Sequence, residues 1–156
     1  MPAKDRVQRR KLIHSIVVRT FVHATEEEER VLAAFRVVVP SEVPLSKLHV
    51  TGHFGNPVVI LTARIEQAQA IRRTLDVINE RLSKSELEHL KENATRYLDD
   101  DCNLFIRFDK QQAARGTLRL GRKDPILVKL KLAAYPARRE NALDLARELW
   151  KNALLH

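Results

Sequence analysis

LIHSIVVRTFVHA, residues 12–24, has the composition of a central β-strand. The stretch is rich in β-branched and aromatic residues, contains neither glycine nor proline, and is long enough to cross a sheet. Thr25 and four glutamates follow it directly. Because Thr25 and Glu28 have the spacing of a capping box, and acidic side chains favour the positive end of a helix dipole, we predict a helix that begins there and ends before Pro40.

The rest of the chain adds short strands and amphipathic helices to this first unit. The predicted strands are 47–53, 57–65, 103–108, 117–121 and 126–135. The predicted helices are 66–82, 85–98 and 138–154. The turn GHFGNP, residues 52–57, has the glycine, asparagine and proline content of a tight connection, and Ser85 with Glu88 predicts a second capping box. The pattern favours a single α+β domain over 12–156, with a mostly antiparallel sheet, helices packed on one of its faces, and a flexible basic arm at 1–11.

The composition suits one domain with a sizeable core. The 156 residues are 44% hydrophobic and include only four glycines and six prolines. The single cysteine, Cys102, has no partner for an intramolecular disulfide. No apolar stretch approaches the roughly 18 residues of a membrane span, and the charged N-terminus lacks the apolar segment of a secretory signal. These features predict a soluble, cytoplasmic protein.

The excess of positive charge is confined to two parts of the chain. The net formal charge is +8, from 28 lysines and arginines against 20 acids. Residues 1–11 carry five basic residues and one acid, and residues 107–139 carry ten basic residues and two acids. Everything else is net negative. A polyanion such as nucleic acid is the natural partner for this pattern, because each neutralised phosphate releases counterions. A surface charged only for solubility is the alternative.

Strand alternation predicts that much of this charge lies on one face of the sheet. Successive strand residues point to opposite faces, so the apolar positions of the last three predicted strands face the helices. The opposite face then gathers Arg107, Arg119, Lys129 and Lys131, with Phe105 and Tyr135 among them. Cations interleaved with aromatic rings suit phosphate contact and base stacking. The alternative is that both rings pack beneath the N-terminal segment.

The sequence offers little for catalysis. The consecutive acids at 99–101 point in divergent directions and make a poor metal site. His49 and His53 lie about 13 Å apart on a strand, which is too far for shared coordination. A glycine-rich phosphate loop is absent from the sequence. We therefore predict a protein that is not an enzyme and uses no metal or cofactor.

Four segments resemble a known family. They are FVHATEEEERVL (21–32), GHFGNPVVIL (52–61), RFDKQQAARG (107–116) and the closing pattern IxVKxKxxAYP (126–136). Together they are similar to the archaeal predicted RNA-binding proteins often described as putative exosome subunits. The resemblance covers residues 12–154 and implies a double-stranded-RNA-binding-domain-like or ribosomal-protein-like α+β fold. It also implies RNA binding, with links to RNA processing or decay.

The candidate RNA-contacting residues combine the basic positions with the turn 52–57 and the segment 107–111. They are Lys4, Arg6, Arg9, Arg10, Lys11, His53, Asn56, Arg107, Lys110, Gln111, Arg115, Arg119, Arg122, Lys123, Lys129, Lys131, Arg138 and Arg139. A purely structural role is the alternative for both segments: the turn shapes a hairpin, and in 107–111 Asp109 pairs with a basic residue while Gln111 begins a helix. The expected partners are RNA and, through the resemblance, exosome or other RNA-processing proteins. The alternative function is a protein–protein adaptor in an RNA-processing or translation assembly.

Overall fold

Five strands form the framework of the protein, for which a computed structural model describes residues 11–150. The strands are β1 (Ile13–His23), β2 (Leu45–Thr51), β3 (Pro57–Ile65), β4 (Asn103–Phe108) and β5 (Ile126–Leu132). All neighbouring strands are antiparallel, and the order across the sheet is β2-β3-β1-β5-β4. The 11-residue strand β1 lies in the centre, as its β-branched composition predicts.

Six helices supply the second layer of this part of the chain. They are α1 (Glu28–Val38), α2 (Ala68–Arg81), α3 (Lys84–Glu92), α4 (Ala94–Tyr97), α5 (Lys110–Ala114) and α6 (Arg139–Glu148). The core lies between the helices and one face of the sheet, where Ile16, Phe35, Ile78, Ile106 and Leu130 are completely buried. Each such side chain contributes about 1.5–3 kcal/mol when it leaves water. The predicted single α+β domain with helices on one face is confirmed, and no helix within residues 11–150 has the length and apolarity to cross a membrane.

Residues 117–121 are not the strand that their alternating pattern predicts. They form one isolated bridge, between Leu120 and Phe108. The backbone N–H of Thr117 donates to Gln112 O at 3.1 Å, and that of Leu120 donates to the Glu86 carboxylate at 2.9 Å. Because a helix end and a side chain from a distant helix take these donors, they are not available to a ladder.

The first predicted capping box is absent and the second is shifted. Helix α1 begins at Glu28 after Glu27, without a side-chain cap, so Thr25 does not cap it. The second box exists two residues earlier than predicted: Ser83 accepts from the N–H of Glu86, and Glu86 in turn accepts from the N–H of Ser83. The predicted helix 85–98 is also divided, because Asn93 leaves helical geometry between α3 and α4.

The turn between β2 and β3 is as tight as its composition predicts. The N–H of Gly52 donates to Asn56 O at 2.6 Å, and His53–Gly55 forms a single 3₁₀ turn. A Cβ on Gly52 would lie 2.8 Å from the Val58 side chain. Phe54 adopts a φ of 64°, a left-handed conformation that bulky residues rarely take.

The ends of the chain lie beyond the described residues. Residues 1–10, which hold most of the predicted basic arm, and residues 151–156, which hold the end of the predicted terminal helix, are outside them. Strand β5 ends at Leu132, three residues before the predicted end, so Tyr135 does not belong to the sheet.

Candidate nucleic-acid interface

The face of the sheet that the helices do not cover, here called the open face, carries side chains from all five strands. Its members that are at least partly exposed are Val17, Arg19, Phe21, His23, Ser46, Leu48, Val50, Val58, Ile60, Thr62, Arg64, Phe105, Arg107, Leu127, Lys129 and Lys131. Ser15 and Asn103, which flank Lys131 on the same face, are buried. Because antiparallel pairing aligns these residues in transverse rows, the register shows which of them are neighbours.

Cations dominate one half of the open face. In one row Arg64 pairs with Val17, which pairs with Lys129 on its other side. In the next row Arg19 pairs with Leu127, which pairs with Arg107. Adjacent strands are about 4.8 Å apart and successive residues on one face about 7 Å apart. The two rows therefore place cations within a few side-chain lengths of one another. This half of the open face is called the basic end, and its members are Arg19, Arg64, Arg107, Lys129 and Lys131.

Apolar side chains form most of the other half, which also carries His23 beside Val58. Phe21 pairs with Ile60, which pairs with Leu48, and Val58 pairs with Val50 in the following row. Phe21 is 41% exposed and Leu48 58% exposed, which is unusual for large apolar residues. These five apolar residues are called the apolar end. The open face thus changes from cationic to apolar along β1, within the two positions from Arg19 to Phe21.

A shallow hollow lies at the edge of the basic end. Arg64, Lys129 and Lys131 line it together with Asp101 and Asn103, and its volume is about 390 Å³. The ammonium of Lys131 donates to the carbonyl of Asp101. The side-chain oxygen of Asn103 is buried and has no hydrogen-bond partner within residues 11–150. Three cations and one carboxylate, that of Asp101, line this depression of the open face, so the net positive charge of the lining suits an anion.

The acids at 99–101 have a structural role at the start of β4. Asp99 accepts from the backbone N–H of Asp101 at 2.9 Å and from that of Asn103 at 2.8 Å. Burial opposes the ionisation of Asp99, but these hydrogen bonds, with Lys131 nearby, outweigh it and hold the pKa of the carboxyl below its ordinary value. The run therefore fixes a turn.

An ion cluster around the buried ammonium of Lys110 lies beside the open face. The Lys110 side chain is only 3% exposed, and its ammonium is 2.9 Å from Glu26 Oε1, 2.6 Å from Asp124 Oδ2 and 2.8 Å from Phe21 O. His23 Nε2 lies 2.9 Å from Asp124 Oδ1. All three ammonium donors are satisfied inside the protein. The cluster joins β1, the start of α1, the first turn of α5 and the loop before β5.

The acids of this cluster do not suit a metal ion. Ligand atoms of His23, Glu26 and Asp124 lie within 4.8 Å of one another. The Lys110 ammonium already lies between the two carboxylates and neutralises charge that a cation would need. A metal would have to displace it and leave a buried lysine without partners, which is costly. The cluster is therefore an internal ion pair network.

Comparison with known proteins identifies the family. A family model described as RNA binding matches residues 15–132. The chain belongs to this RNA-binding family. The matched segment runs from the third residue of β1 to the last residue of β5, so it contains all of the open face.

Relatives of this RNA-binding family member come from archaea. RNA-binding protein PAB1135 of Pyrococcus abyssi is 36% identical over 141 residues, which cover 86% of this chain and 92% of that protein. Mth689, a DUF54 protein from Methanothermobacter thermautotrophicus, has a structure with a TM-score of 0.76 and 32% identity over 90% of this chain and 100% of its own. Protein AF2318 of Archaeoglobus fulgidus gives a TM-score of 0.79 and 33% identity over 88% and 99%. None of the names of these three proteins mentions an exosome subunit or a double-stranded-RNA-binding-domain-like fold. The predicted exosome association and the predicted fold family therefore remain predictions.

The structure brings only some of the predicted residues together. Arg107, Lys129 and Lys131 share the open face of this RNA-binding family member, and Phe105 lies beside Lys129. Arg119 lies outside the sheet, and Tyr135 lies beyond the end of β5 with 94% of its surface exposed. The remaining predicted positions are scattered. Exposed in loops or at helix ends are Lys11, His53, Asn56, Gln111, Arg115, Arg122, Lys123 and Arg138.

Two predicted residues have structural roles instead. Lys110 is buried at the centre of the ion cluster, so its ammonium is not at the surface where RNA would reach it. Arg139 donates to the carbonyl of Thr95 at 2.8 Å, which ties α6 to α4. Beside Lys110, Asp109 caps α5 by accepting from the N–H of Gln112 at 2.9 Å, and the helix begins at Lys110 instead of Gln111. Within the segment 107–111, Asp109 and Lys110 are therefore architectural, whereas Arg107 belongs to the basic end.

Sequence reasoning missed two cations and one ring of the open face. Arg19 and Phe21 lie within the stretch that predicts the central strand, and Arg64 lies at the end of β3. Alternation along β1 is the signal that could have found them, because Arg19 and Phe21 share a face opposite to Val18 and Val22. The density of basic residues along the sequence indicates the segment 107–139 as the binding surface. In the folded protein, the cations of the open face come from four different strands.

Asp124 makes the stability of the fold sensitive to acid. Burial disfavours its ionised form, yet hydrogen bonds from Lys110 and His23 outweigh this and hold the pKa of Asp124 below its ordinary value. A lowered native pKa adds stability at neutral pH that is lost as the pH falls below about 4, where the unfolded carboxyl protonates. In urea titrations from pH 7 to pH 2, we expect Asp124→Asn to be less stable at neutral pH and to lose less stability on acidification. Parallel pH profiles for both proteins would contradict this.

Proposed function

We propose that this protein is a non-catalytic RNA-binding protein that contacts RNA with the basic end of the open face and with the basic arm at 1–11. The observation that carries the proposal is the convergence of Arg19, Arg64, Arg107 and Lys129 from four strands on a face that no helix of residues 11–150 covers. Like charges gathered in this way repel one another unless a polyanion neutralises them.

Phosphate contacts dominate this mode of binding. Arginine and lysine pair with phosphate oxygens and release condensed counterions, so affinity falls steeply with salt and depends weakly on base sequence. The hollow between Arg64, Lys129 and Lys131 is the place where a phosphate meets three cations at once. Arg107 adds a planar guanidinium, which also suits bidentate phosphate contact.

The remaining predicted contacts extend this surface as secondary sites. The turn residues His53 and Asn56 are exposed at the end of the sheet that carries the apolar end. Hydroxyl and phosphate groups of RNA suit such side chains. Further basic residues proposed to add long-range attraction are Lys4, Arg6, Arg9, Arg10, Lys11, Arg115, Arg119, Arg122, Lys123, Arg138 and Arg139.

We further propose a cytoplasmic role in RNA processing or decay, with the exosome as a candidate assembly. This part of the proposal is supported by the resemblance of the four sequence segments. The competing function is an adaptor whose basic surface meets an acidic protein. The two differ in a simple way, since only the RNA binder holds naked RNA with a steep salt dependence.

A salt titration tests the proposal. Fluorescent 16-nucleotide single-stranded RNA and a 16-base-pair duplex are titrated with the full chain at 50–300 mM KCl, with and without magnesium. We expect micromolar or tighter binding to RNA, a steep negative slope of log K against log salt, and intact RNA in every sample. Absence of binding to both forms at 50 mM KCl overturns direct RNA recognition and favours the adaptor. Magnesium-dependent cleavage overturns the non-catalytic role.

A further inference from the structure

We propose that the open face binds single-stranded RNA, with an unpaired base stacked on Phe21 at the apolar end while the adjoining phosphates lie on the basic end. This inference rests on the proposed function and adds the strand form and the position of the base. It follows from the direct junction of two surfaces of opposite character on one sheet face.

The ring of Phe21 lies directly beside the basic end. Phe21 and Arg19 are successive members of the same face of β1, about 7 Å apart along the strand. Ile60 and Leu48 continue the row from Phe21 towards the edge of the sheet. A base stacked on the ring therefore rests on aliphatic neighbours, while its phosphate reaches the guanidinium next along the strand.

The chemistry of the open face matches that of an unpaired strand. A single-stranded RNA offers apolar base faces and charged phosphates side by side, and the open face offers an apolar end and a basic end side by side. A duplex offers phosphates and hydroxyls at its surface and hides its base faces within the stack. A duplex docked on this face would cover Phe21 and Leu48 with polar groups. Contact with these two apolar side chains would then add nothing to the affinity for the duplex. The charge and apolarity together favour an unpaired strand.

A second exposed ring lies at the same end of the sheet. Phe54 belongs to the turn that joins β2 and β3, just beyond the paired residues Val50 and Val58, and it is 91% exposed. Its φ of 64° is an unfavourable conformation for a bulky residue. The Phe54 ring meets the His53 ring edge-on, with 4.3 Å between the ring centroids, and its exposed surface is available for stacking on a neighbouring base.

The experiment compares ring-removing variants on single-stranded and duplex RNA. Phe21→Ala is expected to weaken binding of a fluorescent 16-nucleotide single strand about 5- to 150-fold, the loss typical of one base stack. The salt slope should not change, because no charge is removed. Phe21→Tyr, which keeps an aromatic face, should bind as the wild type does. Phe54→Ala lies in an exposed turn outside the core and gives a second test that does not disturb the sheet.

The outcomes separate this inference from the function on which it rests. If the wild type binds single-stranded RNA and both alanine variants bind it equally well, stacking is overturned while RNA binding stands. A wild-type preference for duplex also overturns the inference alone. If size-exclusion chromatography shows a wild-type dimer that Phe21→Ala converts to monomer without loss of RNA affinity, the apolar end is a self-association surface and the inference fails. Absence of RNA binding by the wild type is the failure of the proposed function.

Discussion

Replacement of Lys110 by methionine is expected to lower the free energy of unfolding by about 2–3 kcal/mol, less than the loss of one partner from a fully buried ion pair, because Asp124 keeps 37% of its side chain exposed to water. The substitution keeps the aliphatic length but removes the ammonium that bonds Glu26, Asp124 and the carbonyl of Phe21. Two carboxylates then remain close together without their shared counter-charge. Because a typical domain has only about 5–15 kcal/mol of stability, this substitution should be the most damaging among those of the charged residues.

Urea denaturation monitored by circular dichroism measures this effect. Gln111→Met is the matched control, since Gln111 is the exposed neighbour of Lys110 in α5 and the same side chain is introduced. The control should change stability by no more than about 0.5 kcal/mol. Adding Glu26→Gln to the Lys110 variant should recover part of the stability, because one uncompensated charge disappears. Equal urea midpoints for Lys110→Met and the wild type would show that the cluster contributes nothing.

Charge reversal at two lysines of the basic end should have the largest effect on RNA binding. Lys129→Glu with Lys131→Glu replaces two cations on β5 by anions, and we expect at least tenfold weaker binding at 100 mM KCl. The slope of log K against log salt should become shallower by about 2, one for each phosphate that the protein no longer neutralises. The reduction in affinity should be similar for different RNA sequences, because phosphates carry no sequence information.

A control with the same change in net charge isolates position from overall charge. Arg72→Glu with Lys84→Glu alters two exposed cations of α2 and α3, in the helical layer on the opposite side of the sheet. We expect a small, uniform decrease in affinity from this pair. If the two double variants weaken binding equally, the open face has no special role and only the overall charge of the protein attracts RNA.

Local patterns predict the elements that strand composition or turn residues specify directly. Strand β1 and the turn 52–57 follow directly from β-branched composition and from turn residues with special backbone angles. The segment 117–121 has the alternation of a strand, but the N–H groups of Thr117 and Leu120 bond Gln112 and Glu86, and its pairing is confined to one bridge with the end of β4. Glu86 is 34 residues away from its partner, and sequence spacing carries no record of that contact.

The candidate site is partly hidden in the sequence for the same reason. Lys110 lies in a short helix where a lysine is ordinarily solvated, and its acceptors at Phe21 and Glu26 are 89 and 84 residues away in the chain. Arg19 and Arg64 look like mere interruptions within apolar strands. They join Lys129 only because β1 lies between β3 and β5. The charge of the segment 107–139 indicates the partner class, whereas the sheet order determines which cations share a face.

The central place of β1 has a consequence for how the protein is made. During translation, β1 emerges from the ribosome before the other four strands. Its partner β3 follows within about 50 residues, whereas its partner on the other side, β5, is synthesised more than 100 residues later. Until then one edge of an apolar strand has unpaired backbone groups, a state that invites mispairing between chains. Such distant pairing also slows folding. Folding of the nascent sheet therefore depends on the synthesis of β5, and truncation before β5 would leave one edge of β1 unpaired.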